Sequence, residues 1–282
     1  MVTFPGNREL PSLGLGTWRM GESAARRKRE VAAVRAAIDM GWRVIDTAEM
    51  YGEGGAERVV GEALAAALRT GAVVRDELFV VSKVYPHNAG ARAAAAACER
   101  SLERLGLDHL DCYLLHWRGD VPLEETVEAF EHLRDRGRIR SWGVSNFDVA
   151  DMDDLFRVAG GERCATNQVY YSLSARGPGF DLVPWLQQRG VVTMAYSPID
   201  QGALAANKAL AAIAERRGLS AAQLALAWLV AQPGVLAIPK ATGEAHLREN
   251  LAARDLVLDG AERAALDRAF PPPRRKTSLR MI

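Results

Sequence analysis

Three features of this 282-residue sequence predict an α/β fold, a closed (β/α)8 barrel with an N-terminal β-hairpin capping its bottom. Eight strand-then-helix units follow one another along the chain. The strands are near-continuous apolar runs with no wet face, as expected for a parallel sheet covered by helices. No Pro-, Gly- or Ser-rich linker divides the chain, so residues 1–282 are expected to form one domain. The competing doubly wound sheet needs a G-x-G-x-x-G turn after its first strand, and Gly14-Leu15-Gly16 lacks the third glycine.

Taken in order, Val2 to Leu10 reads as a hairpin because Pro5-Gly6-Asn7 suits a tight turn. Leu13 to Trp18 is the first barrel strand. Arg29 to Met40 has helical spacing, with Val31, Val34, Ala37 and Ile38 on one face and Gly41 just past the end. Arg43-Val44-Ile45 is a short β-branched strand closed by Asp46, after which Gly52, Gly54 and Gly55 interrupt regular structure and leave Tyr51 on a loop. Ala56 to Leu68 is helical, Leu78 to Val84 is an apolar strand with one charge, and Ala89 to Leu105 is an Ala-rich helix. The alternation continues through strands at 110–116, 139–144, 166–169, 191–197 and 235–238. Helices are expected at 123–136, 149–158, 181–189, 209–217, 221–231, 244–253 and 261–269. The three prolines of PPPRRKTSLRMI exclude a helix, so the last dozen residues are expected to wander over the surface.

Composition narrows the function. The 36 basic and 35 acidic residues nearly cancel, and no basic, aromatic-interleaved stripe stands out, which argues against a nucleic-acid partner. No apolar run approaches the length of a membrane span, and MVTFPGNREL lacks a signal-peptide core, so a cytoplasmic protein is expected. Cys98, Cys112 and Cys164 are odd in number and lack C-x-x-C spacing, suggesting neither a disulfide framework nor a metal site.

In such a barrel, residues at the C-terminal strand ends face one cavity. Those residues are Asp46 (with Tyr51 on its loop), Lys83, His116, Ser145 and Asn146, Asn167 and Gln168, Tyr196 and Ser197, then Pro239 and Lys240. Lys83 is the sharpest. The chain has five lysines against 31 arginines, and an ammonium inside LFVVSKV is costly without an anion, for which Asp46 is the candidate. Alone, Lys83 could snorkel from a strand end and His116 could be a satisfied core histidine. Together, Asp46, Tyr51, Lys83 and His116 form a coherent acid. An adjacent ammonium stabilises a phenolate, which is expected to move Tyr51 toward the working range, while neutral His116 holds a substrate oxygen. An acid without a nucleophile suggests proton donation to an oxyanion made by hydride from a nicotinamide. The chain has neither H-E-x-x-H nor G-x-S-x-G.

GLGTW (14–18), IDTAEMYG (45–52), VSKV (81–84), LLHW (114–117), GVSNF (143–147), NQV (167–169), YSP (196–198), IPK (238–240) and EN (249–250) stand in the order and spacing of the aldo-keto reductases, which the chain resembles along essentially its whole length. The resemblance implies a metal-free TIM-type barrel that binds NADPH, with NADH as an alternative cofactor, and reduces carbonyls. Its catalytic residues are Asp46, Tyr51, Lys83 and His116, with Tyr51 as the acid. Its cofactor contacts fall on Gly16, Thr17, Trp18 and Asp46. Ser145, Asn146 and Gln168 hold the carboxamide, and Tyr196 stacks on the nicotinamide. Ser197, Pro198, Ile199, Gln201 and Gly202 follow the pyrophosphate. Ile238, Pro239, Lys240, Ala241, Thr242, His246, Glu249 and Asn250 surround the adenosine end. Trp18, Met50, Tyr51, Tyr85, His116 and Trp117 line the substrate mouth.

Two departures stand out. Many members carry an arginine for the 2′-phosphate where this chain has His246, with Arg248 two residues on, which is why NADH stands beside NADPH as an alternative cofactor. The C-terminus is short, like that of bacterial members acting on small aldehydes and 2-oxoaldehydes. A small-molecule carbonyl substrate and a monomer are expected. An alternative from another class is a redox-sensing regulatory subunit that binds NADP(H) without turnover, since such family members carry the same four residues.

Overall fold

The computed structural model describes residues 1–282. The hairpin pairs β1 (Val2–Phe4) antiparallel to β2 (Arg8–Leu10), with Val2 opposite Leu10. Gly6 and Asn7 supply the positive φ values, 80° and 59°, that so tight a reversal needs. Its inward residues Val2, Phe4 and Leu10 join an apolar cluster with Phe79, Val192 and Leu236, all near the starts of barrel strands. The hairpin therefore plugs the N-terminal end of the barrel, as expected.

Eight parallel strands follow in chain order: β3 (Leu15–Gly16), β4 (Val44–Asp46), β5 (Phe79–Val84), β6 (Leu110–Leu115), β7 (Ile139–Ser145), β8 (Thr166–Tyr170), β9 (Val192–Tyr196) and β10 (Val235–Ala237). A parallel bridge between Leu13 and Ala237 joins the ends. The Gly14 N–H donates to the Ala237 carbonyl at 2.8 Å and the Gly16 N–H to the Pro239 carbonyl at 3.0 Å, closing the barrel. The seam explains Gly16, and close packing against β4 explains Gly14. A Cβ on Gly14 would stand 2.8 Å from Val44 Cγ1, and one on Gly16 would stand 2.6 Å from the Ile238 carbonyl oxygen.

The outer layer comprises α1 (Ala24–Asp39), α2 (Gly55–Arg69), α3 (Ala91–Leu105), α4 (Leu123–Asp135), α5 (Val149–Arg157), α6 (Leu182–Gln188), α7 (Lys208–Ala214), α8 (Ala221–Val230), α9 (Glu244–Ala252) and α10 (Gly260–Ala269). Their apolar faces and the outward faces of the strands make one continuous core of 63 buried residues. No helix is long and apolar enough to cross a membrane.

Two expectations need correction. The first helix begins at Ala24, not Arg29, because Ala24 to Arg29 forms two exposed turns with no apolar periodicity to betray them. Ala, Arg and Lys are nevertheless good helix formers. The C-terminal segment lacks a helix, as expected, but does not wander. Lys276 Nζ lies 3.4 Å from Asp148 Oδ2, Arg280 pairs with Asp200 at 3.1 Å, and Leu279 packs against the core. The segment thus crosses the C-terminal mouth of the barrel.

Candidate active site

Strand side chains alternate between faces, so every second residue along a barrel strand looks inward. Val44 and Asp46, then Phe79, Val81 and Lys83, then Cys112, Leu114 and His116 follow this rule, the apolar members lying in the hairpin's cluster. Each strand thus contributes apolar residues to the barrel interior and one polar residue at the mouth. Ser145 and Tyr196 end β7 and β9, Gln168 lies two residues before the end of β8, and all three line the cavity.

Lys83 is fully buried and spends all three ammonium protons. It donates to Asp46 Oδ2 at 2.8 Å, to the Thr47 carbonyl at 2.8 Å and to Tyr51 Oη at 3.1 Å. Asp46 Oδ1 accepts from Gln168 Nε2 at 2.8 Å, which ties β8 to β4 across the barrel. Burial opposes the ammonium, yet Asp46 and Tyr51 outweigh it and hold the Lys83 pKa above the ordinary value. For Tyr51 the net direction corrects the sequence expectation. Burial raises the phenol, Lys83 pulls it down and Asp46 pushes it up again, leaving it above the ordinary tyrosine value. The phenol is therefore a loaded acid at neutral pH, and Lys83 limits the cost of its anion.

His116 stands edge-on to Tyr51, with ring centroids 5.7 Å apart. Burial first and Lys83 second push its pKa well below 6.5, so it is neutral. Its Nδ1 is buried without a partner. A bare acceptor is tolerated there better than an orphaned N–H, which places the proton on Nε2 and leaves that nitrogen to donate.

The cavity over this group is lined by Gly16, Trp18, Asp46, Met50, Tyr51, His116, Trp117, Ser145, Asn146, Gln168, Tyr196, Ser197, Pro198, Ile199, Gln201, Gly202, Ile238 and Lys240, all expected from the sequence. Thr17, Pro239, Ala241, Thr242, His246, Glu249, Asn250 and Tyr85 are outside that lining. Thr17 instead donates to the Asp46 carbonyl at 2.9 Å, and Tyr85 stands edge-on to Trp117 behind the wall. Three lining residues were not anticipated: Arg19, Met281 and Ile282. Arg19 follows directly on GLGTW, a signal that could have been read, whereas the last two residues reach the site only through tertiary contacts of the tail.

Hydrogen bonds fix the far wall. Tyr196 Oη donates to Asn146 Oδ1 at 2.9 Å, Asn146 Nδ2 donates to the His116 carbonyl at 3.1 Å, and Ser145 Oγ donates to the Gln168 carbonyl at 2.9 Å. Asn146, Ser197, Asp200 and Gln201 all have positive φ, between 48° and 61°. Such conformations in non-glycine residues concentrate where a loop is shaped for a ligand.

Residues 12–270 match the family model described as the aldo/keto reductase family. The chain belongs to that family. It is 52% identical, over 100% of its length and 99% of the relative's, to the methylglyoxal reductase YeaE of Escherichia coli. It is 36% identical to a glyoxal reductase of Bacillus subtilis, covering 92% of this chain and 88% of that one. A Klebsiella pneumoniae aldo/keto reductase crystallised with NADP and acetate superposes with a TM-score of 0.94 at 54% identity, covering 100% of this chain and 99% of the other. This reductase is therefore an oxidoreductase with the barrel of its family. No group of three or more His, Cys, Asp or Glu side chains gathers as a metal site.

Proposed function

We propose that this aldo/keto reductase uses NADPH to reduce small aldehydes and 2-oxoaldehydes to alcohols, with Tyr51 donating the proton. The observation that carries the reading is the Lys83 ammonium, held between Asp46 Oδ2 at 2.8 Å and Tyr51 Oη at 3.1 Å at the floor of the cavity. The names of the methylglyoxal and glyoxal reductases it resembles support the substrate class, and the complexes of the Klebsiella protein with NADP and NADPH support the cofactor. The reading takes the whole chain as one barrel domain, a cytoplasmic monomer without a nucleic-acid partner.

The residues present fit such a cofactor. One end of the cavity is cationic, formed by Arg19 and Lys240. The nearby carboxylates are already engaged: Glu22 with Arg19 at 3.7 Å and Arg26 at 3.5 Å, Glu30 with Arg26 at 3.7 Å. Partial burial lowers the Lys240 pKa against the pull of Glu30, and Arg26 and Arg19 lower it further. An ammonium left among cations calls for an anion, as phosphates would supply. The other end offers Ser145, Asn146 and Gln168 for an amide and the Tyr196 ring as a flat apolar platform. When bound, NADPH supplies the hydride.

The chain's own residues do the rest. His116 donates to the carbonyl oxygen, orients it toward Tyr51 and stabilises its growing negative charge. Tyr51 then gives its proton to that oxygen, and its own anion is stabilised by Lys83. Asp46 keeps Lys83 charged and aimed, and Gln168 keeps Asp46 aimed. Trp18, Met50 and Trp117 with Met281 and Ile282 form an apolar mouth that suits a short substrate and excludes water. Paired fluorescence titrations with NADPH and NADH, followed by an aldehyde panel, test the reading. Saturable NADPH binding with turnover of 2-oxoaldehydes is expected. NADPH binding without turnover of any carbonyl would favour the regulatory alternative.

A further inference from the structure

Asp200 lies in the loop after β9, between Ser197 and Gly202, and does not line the cavity that its neighbours line. Its side chain is the hub of a polar ring behind that wall. Tyr170 Oη donates to Asp200 Oδ1, Ser174 Oγ donates to Oδ2 at 2.9 Å, and Arg280 Nη1 pairs with Oδ1 at 3.1 Å. The Arg280 guanidinium also covers the Tyr170 ring, 4.5 Å from its centroid. The backbone at Asp200 is left-handed, with φ 50°, and that of Gln201 likewise, with φ 53°. Two successive non-glycine residues in that region need side-chain contacts to hold them.

The backbone of Arg280 and the residues after it reach the cavity as well. Its carbonyl lies 3.5 Å from Tyr196 Oη, and the next two residues, Met281 and Ile282, line the cavity. One residue thus meets the 197–202 loop, the Tyr196 platform and the apolar mouth. We propose that Arg280 is a positioning residue: by pinning Asp200 it latches the 197–202 loop to the last residues of the chain, so that the cofactor-facing wall and the substrate-facing wall hold or release together. This rests on the reading of the cavity as an NADPH and carbonyl site. The consequence is a coupling between cofactor release and affinity for the carbonyl, through a pair that lies outside the cavity lining.

The experiment follows NADPH release from the holoenzyme by stopped-flow fluorescence, alongside KM and kcat for a short 2-oxoaldehyde. Arg280→Ala and Asp200→Asn are each expected to speed release roughly fivefold, the scale of one partly exposed ion pair, and to raise KM without lowering kcat. The double variant should go no further than either single, and Arg280→Lys should fall between wild type and Arg280→Ala. Additive effects in the double variant would overturn the latch, as would faster release with unchanged KM, or a lowered melting temperature with release unchanged. A wild-type protein that binds no NADPH would remove the functional reading itself, and that is seen before any variant is made.

Discussion

Lys83 Nζ stands 3.1 Å from Tyr51 Oη, and its other two protons are committed to Asp46 Oδ2 and the Thr47 carbonyl, both at 2.8 Å. The ammonium has no freedom to reorient, and its third proton faces the Tyr51 phenol oxygen. Positioning and electrostatics are therefore supplied by the same contact.

Tyr51→Phe removes that oxygen and little else. The variant should bind NADPH within a few-fold of wild type and lose roughly 10²- to 10⁴-fold in kcat, the range of a single general acid. Steady-state rates with NADPH and an aldehyde check this. Near-normal turnover would take the proton donor away from Tyr51.

Lys83→Met should lose activity and stability together. It removes the cation that stabilises the phenolate and leaves Asp46 buried with only Gln168 as a partner. Stranding one member of a buried pair costs about 3–5 kcal/mol. Urea denaturation of the apoprotein reads the stability loss without reference to catalysis. A variant as stable as wild type would show that Asp46 can take up a proton or a water at no cost.

The parts of the site that were legible in the sequence are those set by strand periodicity. Asp46, Lys83 and His116 stand at the ends of apolar strands whose alternation carries them inward, and a lone charge inside LFVVSKV calls for an anion at a neighbouring strand end. Burial was not legible, so the upward shift of Tyr51 was missed. A phenol beside an ammonium reads as more acidic until the loss of water around it is known. The early start of α1 was hidden because Arg26 to Arg29 carries no apolar signal. The place of the tail was hidden because it depends on Asp148, Asp181 and Asp200, residues distant in sequence whose partners no local pattern names.

Gly16→Ala tests the barrel seam. Its Cβ would meet the Ile238 carbonyl oxygen at 2.6 Å, a backbone atom that can move only with the seam. A loss of about 1–3 kcal/mol is expected from such overpacking, visible as a lower melting temperature. Because Gly16 and Ile238 also line the cavity, NADPH affinity should fall with stability. Unchanged melting would mean that Gly16 is dispensable for closure.

His116 gives stability a pH dependence of known sign. Burial and Lys83 hold its folded pKa well below 6.5, the ordinary value that the unfolded chain retains. Below pH ~6.5 the unfolded state takes up a proton that the folded state refuses, so unfolding gains protons and stability falls with acidity. The contribution is complete above the unfolded pKa and declines by up to about 1.4 kcal/mol per pH unit as pH drops toward the folded value. His116→Gln removes this one titration while other groups keep theirs. The difference between the two stability profiles, measured in urea from pH 5 to 8, should therefore be flat above about pH 7 and slope below it. A difference that is flat throughout would mean that His116 titrates alike in both states, and that the neutral imidazole assigned to the substrate oxygen is not enforced by the fold.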